Sequence, residues 1–494
     1  MKRKMFKKVM AASLATAMTV SSLAGCGSTA EESTVAEDTT TATETTTDTQ
    51  AATETATETV EEVAEEEDDA WTPLTDENGN VYDLGGMEII IRDWWSGDPS
   101  EPTNGYEEAQ QEWRDWIQET YNFTIKSQAI SDWGSAPADF VEYATTGGDE
   151  NYAFVLRDDP AVTSAMASGL MYDLSTLDCL DFTKPQYAKN KLHEQYSSGD
   201  SIYCMYAGDP EPRGGIYFNK RLLTEAGIDP ESIYDLQANH EWTWDKFEEL
   251  MAQVQRDTNN DGVIDVYGMT LNNGNLVSYL VWSNGGEYVG KEDGKFVYKL
   301  ENSETVEALE EAVKLFDNYL YPQPEDAQWD AYKETFKAGL AAFMPEDAYA
   351  GTKGNFLYDM EDDYGFVCVP MGPNMTDYVD CFSNNPVAIP ACYDEEKAWN
   401  IAFAYDLYNA PVPGYEDYEG WKSTYYDGFR DTRAVDETME ILRDNGIITY
   451  HGVIPSLSLG SDLVWNIGPG AVVSEQIEAI ADTWKEYIRI ANGE

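Results

Sequence analysis

Trp94 and Trp95 stand side by side directly after the short apolar run Met87–Ile91, and Trp133, Trp282 and Trp465 lie in or beside stretches containing Gly, Pro or Asn. Flat rings beside carboxylate, amide and guanidinium groups suit a sugar: the ring covers its C–H face while polar groups bind its hydroxyl rim. Polar partners are at hand in Asp209, Glu211 and Arg213, and in Glu346, Asp347 and Tyr349 after Met344-Pro345. At each position a purely structural role competes with ligand contact, and one ring of the Trp94-Trp95 pair is expected in core packing. Trp242 and Trp244 are assigned to the core, because Thr243 and Asp245 read as caps of a helix running through Leu250.

A second chemistry is spelled by Asp257 to Asp265. Asp257, Asn259, Asp261 and Asp265 place oxygens as the first part of an EF-hand loop does, Gly262 supplies its tight turn and Val263 its backbone carbonyl. Gly268 stands where the loop's closing Glu belongs, so a bidentate acid has to come from elsewhere. A structural Ca²⁺ is the expectation, and an Asx-stabilised turn in which these side chains bond their own backbone is the alternative. Gly285 to Lys291 reads G-G-E-Y-V-G-K, but Glu292 occupies the position of the Mg²⁺-binding hydroxyl, so it is no phosphate loop. No G-x-S-x-G occurs, and three histidines, His193, His240 and His451, leave few candidates for a catalytic triad or a zinc site.

These side chains need rigid elements behind them. Met87–Ile91 reads as a strand, and Gly105 to Tyr121 as a helix whose Trp113, Trp116 and Ile117 recur at helical spacing. Phe123–Ile125 and Phe154–Leu156 follow as strands, and Asp139–Ala144 and Ala161–Ala167 as helices. This alternation argues for α/β layers with mainly parallel strands. The pattern restarts with Gly215–Phe218, and the chain ends in an amphipathic helix, Ser474 to Ala491. With Trp94-Trp95 after the first strand, the pair falls at the strand edge that opens into the crevice of such folds.

Ile216-Tyr217-Phe218-Asn219-Lys220, Glu225-Ala226-Gly227-Ile228, Trp242-Thr243-Trp244-Asp245, Asp257 to Gly268, Ser283-Asn284-Gly285-Gly286-Glu287, Phe336 to Met344 and Gly365 to Pro373 occur in that order. The ordered set resembles the family 1 extracellular solute-binding proteins of ABC importers, over most of the chain from about residue 86. The resemblance implies an α/β, type II periplasmic-binding-protein-like fold, with two hinge-joined lobes and an interlobe cleft that catches ligand without chemistry. The expected N-terminal lobe is 71–208 plus 380–412, and the C-terminal lobe 214–376 plus 415–494. The crossings are placed near Asp209 to Gly214, Asp377 to Asn385 and Pro411 to Tyr415.

The chain has 494 residues, with 31 Lys and Arg against 92 Asp and Glu, a net charge of −61. Basic residues Lys2 to Lys8 and an apolar stretch to Leu23 read as a secretory signal over 1–25, ending Leu23-Ala24-Gly25-Cys26. That ending resembles a lipobox, which implies lipidation of Cys26 and an anchor on the extracellular face of the membrane. Residues 26–70 form an acidic Thr- and Glu-rich segment without Lys, Arg or aromatic residues, the composition of a disordered tether. Residues 71–494 keep 77 acids and 26 bases, a net −51. Such a charge excludes nucleic acid as a partner and disfavours anionic ligands. Cys179, Cys204, Cys368, Cys381 and Cys392 are odd in number; Cys381 pairing with Cys392 and free thiols are both open. The expected function is a monomeric, lipid-anchored binder that delivers an oligosaccharide to an ABC permease and needs no cofactor. The alternatives are a surface glycoside hydrolase and a same-fold binder of a peptide or cationic solute.

Overall fold

A computed structural model describes residues 71–98, 101–157, 160–208, 211, 213–271, 273–382 and 385–494. The signal segment 1–25, Cys26, the tether 26–70 and Asp209 lie outside the described residues. The chain opens with β1 (Met87–Asp93), α1 (Gly105–Tyr121), β2 (Phe123–Ala129), α2 (Ala136–Thr146), β3 (Asn151–Val155) and α3 (Pro160–Ala167). Local chemistry sets the ends of α1. Asn104 Oδ1 accepts the Glu107 N–H at 3.0 Å, Glu107 reaches back to the Thr103 N–H at 2.6 Å, and Asn122 turns left-handed at φ 53° to stop it. Trp113, Ile117 and Tyr121, four apart, form its buried stripe.

Beyond residue 213 come β4 (Gly214–Asn219), α4 (Trp244–Val254), β5 (Tyr267–Met269), α5 (Asn273–Ser283), β6 (Ala341–Asp347) and β7 (Tyr364–Val367). The chain then returns through β8 (Asp380–Cys381), β9 (Val387–Ala388) and α6 (Glu395–Tyr408), and finishes with α7 (Gly420–Tyr426), β10 (Gly446–Ile447) and α8 (Val473–Ala491). One sheet has the order β9-β3-β1-β2, with β1 parallel to β2 and β3 and the short β9 antiparallel. The other has the order β7-β4-β6-β5. Here the expectation of mainly parallel strands fails: β4 runs antiparallel to both β6 and β7, and only β6 with β5 is parallel. The reason is topological. The chain enters this sheet from the edge where the other strands end, so its first strand runs against them.

One hydrophobic core gathers residues from Leu84 to Ala207 and from Val387 to Val412. The second spans the β7-β4-β6-β5 sheet and also takes Phe140, Phe154, Leu156, Val162, Met171 and Cys204. Strand alternation explains the sharing: Ala153 and Val155 of β3 face one core, Phe154 and Leu156 the other. Beside the first two connecting segments, within the first core, Met205 and Val387 exchange N–H···O bonds of 2.9 and 2.7 Å. All five cysteines of the described residues are free thiols, with Cys381 buried and Cys392 exposed. No helix among the described residues is long and apolar enough to cross a membrane.

Trp242 and Trp244 are buried, as their caps implied, and Thr243 accepts the Lys246 N–H at the start of α4. The fully buried Trp242 indole donates to the Cys368 carbonyl at 2.7 Å. Trp242→Ala therefore opens a cavity and orphans an acceptor, and lowers unfolding free energy by about 3–5 kcal/mol. A urea midpoint equal to that of the parent would contradict this placement.

Candidate functional site

In the first sheet, parallel β1, β2 and β3 all end on one edge, at Asp93, Ala129 and Val155. The buried Asp93 carboxylate accepts the Trp95 N–H at 3.3 Å, the Ser96 N–H at 3.1 Å and the Ser96 hydroxyl, which curls the chain at the strand end. The two indoles meet edge to face at 4.9 Å. Trp94 leans on the first core while Trp95 stays 57% exposed. Beyond β2, an Asp132 turn presents Trp133, which is 62% exposed. Arg157, just past β3, lies over the Trp133 ring at 4.2 Å and donates to its carbonyl at 2.8 Å.

In the second sheet the antiparallel register sets Asp347 opposite Gly214 and Glu346 opposite Gly215, so Arg213 meets the end of β6. Arg213 Nε lies 3.1 Å from Asp347 Oδ2, and the Tyr279 hydroxyl donates to Asp347 Oδ1. Only glycine fits at 214, since a Cβ there would come within 2.1 Å of the Tyr279 ring. Glu346 is buried, accepting from the Tyr332 hydroxyl, from Asn275 Nδ2 at 3.0 Å and from the Asp347 N–H at 2.9 Å. Asp380, also buried, accepts the Gly214 N–H at 2.6 Å and the Cys381 N–H at 2.7 Å. Burial first, then the Asp347 carboxylate, hold its carboxyl well above the usual carboxylate range, against the pull of the Cys381 and Gly214 N–H groups and of Arg213.

Tyr349, two residues past β6, is 40% exposed, and Trp465, on a short turn packed against α5, is 66% exposed. Trp282 is 8% exposed and belongs to the second core within α5. Glu211 is exposed in the first connecting segment. The fold thus gathers Arg213, Glu346, Asp347 and Tyr349 at one sheet's edge, and Trp94, Trp95 and Trp133 at the other's. Tyr279, Tyr332, Asn275, Asp380 and Arg157 were not anticipated. Arg157 alone carried a signal, its place just after a strand; the others reach the site from elements distant in sequence.

The loop 257–265 precedes β5, which is parallel to β6, so it lies at the end of the sheet away from Asp347. Asp257 accepts from the N–H groups of Asn259, Asn260, Asp261 and Gly262, Asn259 from Asp261, Asp261 from Val263, and Asp265 from Thr258. Among the described residues no group of three or more His, Cys, Asp or Glu side chains is arranged to hold a metal ion.

Residues 180–407 match the family described as bacterial extracellular solute-binding protein. No curated protein sequence matches the chain. UgpB from Mycobacterium tuberculosis, solved in complex with glycerophosphocholine, is similar in structure with a TM-score of 0.56 at 16% identity, over 82% of this chain and 99% of that one. The GacH receptor of Streptomyces glaucescens, solved unliganded and with acarbose, gives 0.53 at 14% identity over 82% and 99%. A family 1 extracellular solute-binding protein from Bifidobacterium longum subsp. infantis gives 0.51 at 16% identity over 81% and 100%. At these identities the likeness is one of fold.

Burial first, then the Asp347 carboxylate, push the Glu346 carboxyl up to about 7, while Tyr332, the Asp347 N–H and Lys333 pull it back. The native state then keeps a proton that the unfolded chain releases near its ordinary value of about 4.3. Stability therefore falls as pH rises between those values. Relative to Glu346→Gln, the parent should lose on the order of 3 kcal/mol between pH 4 and pH 8, by denaturant unfolding. A difference that is flat across this range would return Glu346 to ordinary titration.

Proposed function

We propose that the chain is a bacterial extracellular solute-binding protein of the two-lobed type II fold, a binder and not an enzyme, that captures an oligosaccharide between its lobes for an ABC permease; the family match of residues 180–407 supports this reading. The observation that carries the sugar is the placement of exposed rings. Trp95, Trp133, Tyr349 and Trp465 are all at least 40% exposed, and Trp95, Trp133 and Tyr349 follow the ends of strands in the two sheets. Leaving large rings in water is unfavourable unless a partner covers them. Arg213, Asp347 and the exposed Glu211 add hydrogen-bonding groups for hydroxyls. The net −51 of residues 71–494 favours neutral over anionic glycans.

In this reading 71–208 plus 380–412 form the N-terminal lobe and 214–376 plus 415–494 the C-terminal lobe, supported by the two sheets and their cores. Segment 1–25 is a signal peptide, Cys26 carries diacylglycerol and palmitate, 26–70 is the tether, and the protein works as a monomer on the extracellular face. The EF-hand-like spacing of Asp257, Asn259, Asp261, Val263 and Asp265 supports a structural calcium remote from the ligand. A second reading, capture of an amine-bearing solute, is favoured by the net −51 of residues 71–494, which steers cations toward the protein.

Incubation with a glycan panel should raise the melting temperature without releasing product, whereas cleavage would sink the binding role. Trp95→Ala and Tyr349→Ala should each weaken the stabilising glycan by about 1–3 kcal/mol in calorimetric titration. Unchanged affinity in both removes these rings from the site. A glycan-insensitive protein stabilised by a polyamine supports the second reading. Cys26→Ala should abolish labelling by radioactive palmitate and release the protein into the medium; continued labelling rules out the anchor. Millimolar calcium should raise the melting temperature in the parent but not in Asp261→Ala, and an equal response in both removes the ion from this loop.

A further inference from the structure

A cavity of about 1040 Å³ opens beside the connecting segments, and none of the strand-edge rings or charged groups described above lines it. Tyr106 and Arg114 of α1 and Lys189 wall it from the first lobe, Trp421 of α7 and Arg443 from the second. All three connecting segments contribute: Gly208 from the first, Phe382 from the second, Tyr415 and Tyr418 from the third. The third is pinned to both lobes. Tyr418 stacks on Tyr106 at 4.4 Å and the Tyr415 hydroxyl donates to the Gly105 carbonyl at 3.3 Å, while Lys422, just beyond, pairs with Glu419 at 2.8 Å and with Glu440.

We propose that this cavity is a second binding site, for a neutral polyhydroxylated ligand of about two or three sugar rings, and that its occupancy is linked to the hinge. Its volume stands at the upper end of the roughly 300–1,000 Å³ of small-molecule sites. The wall carries the features that sugar binding demands. Aromatic rings are presented by Tyr106, Tyr415, Tyr418 and Trp421, with the Arg443 guanidinium 4.1 Å above the Trp421 ring and Arg114 3.8 Å above that of Tyr408. Four basic residues, among them Arg114 and Arg443, face five acidic ones, among them Glu416 and Asp444, so the wall is close to neutral and favours an uncharged ligand. Because the walls belong to both lobes, a change in hinge angle changes the cavity. An occupant therefore has different affinities for the hinge states, and by linkage it alters affinity at the strand-edge site.

The test is calorimetric titration of the full chain with maltotriose, cellotriose and xylotriose, repeated on Tyr418→Ala, on Ala188→Trp, which fills the cavity from the first lobe, and on Tyr349→Ala. Near-UV circular dichroism verifies that each variant is folded, and Ala188→Trp decides alone if Tyr418→Ala is not. The expected result is a binding event that persists in Tyr349→Ala and weakens at least tenfold in both cavity variants. If every event is lost in Tyr349→Ala and unmoved in the cavity variants, the second site is overturned and the strand-edge reading stands. If the sole event follows the cavity variants, the second site stands and the strand-edge reading fails. No event with any of the three sugars overturns the second site.

Discussion

The hydrogen bond from the Gly214 N–H to the buried Asp380 carboxylate ties the first two connecting segments together and sets the start of β4. Met205 and Val387 exchange backbone bonds, and a few residues further along Asp380 takes the N–H of Gly214, where β4 begins. Gly214 is in register with Asp347, so the same anchor that starts the strand brings Arg213 to its carboxylate. Burying Asp380 is costly; the Cys381 N–H offsets part of that cost locally, and the Gly214 N–H does so only while the two segments remain together. The start of β4 is thus a place where buried polar groups must stay paired.

Charge works differently in different parts of the molecule. Some ion pairs are exposed on both sides, such as Lys295 with Glu494 and Lys485 with Glu301, and pairs of this kind contribute little to stability. The acids around the end of β6 are another matter: Glu346 and Asp380 are buried and Asp347 half-buried, and they share donors in a poorly solvated corner. There the fold spends tyrosine hydroxyls, an asparagine amide and backbone N–H groups on carboxylates, and one of those acids keeps its proton toward neutral pH.

Periodicity made much of the first half legible. The helix Gly105–Tyr121 was read to its ends from the spacing of Trp113, Trp116 and Ile117, while the structure puts Tyr121 rather than Trp116 in the buried stripe and shows Asn104 and Asn122 as the caps. The final helix, Val473–Ala491, was placed to within a residue of its start. The direction of β4 was not readable, since Gly215–Phe218 looks the same in a parallel or an antiparallel neighbourhood. At the site, adjacency to a strand end pointed to Trp94-Trp95 and to Tyr349, and burial then separated Trp94 and Trp282 from the exposed rings.

By itself the sequence determined the inventory: which segments are apolar with a period of two or 3.6, how much negative charge residues 71–494 carry, and the ordered motifs that carry the family resemblance. These are local properties, and local chemistry suffices to set them. Tertiary structure decided which inventory members meet. Tyr279, Tyr332 and Asn275 join Glu346 and Asp347 from elements up to 71 residues away. Asp380 reaches Gly214 across 166 positions. Such pairings depend on strand direction and register, and these follow from how two sheets bury their faces together, which no short stretch of sequence contains.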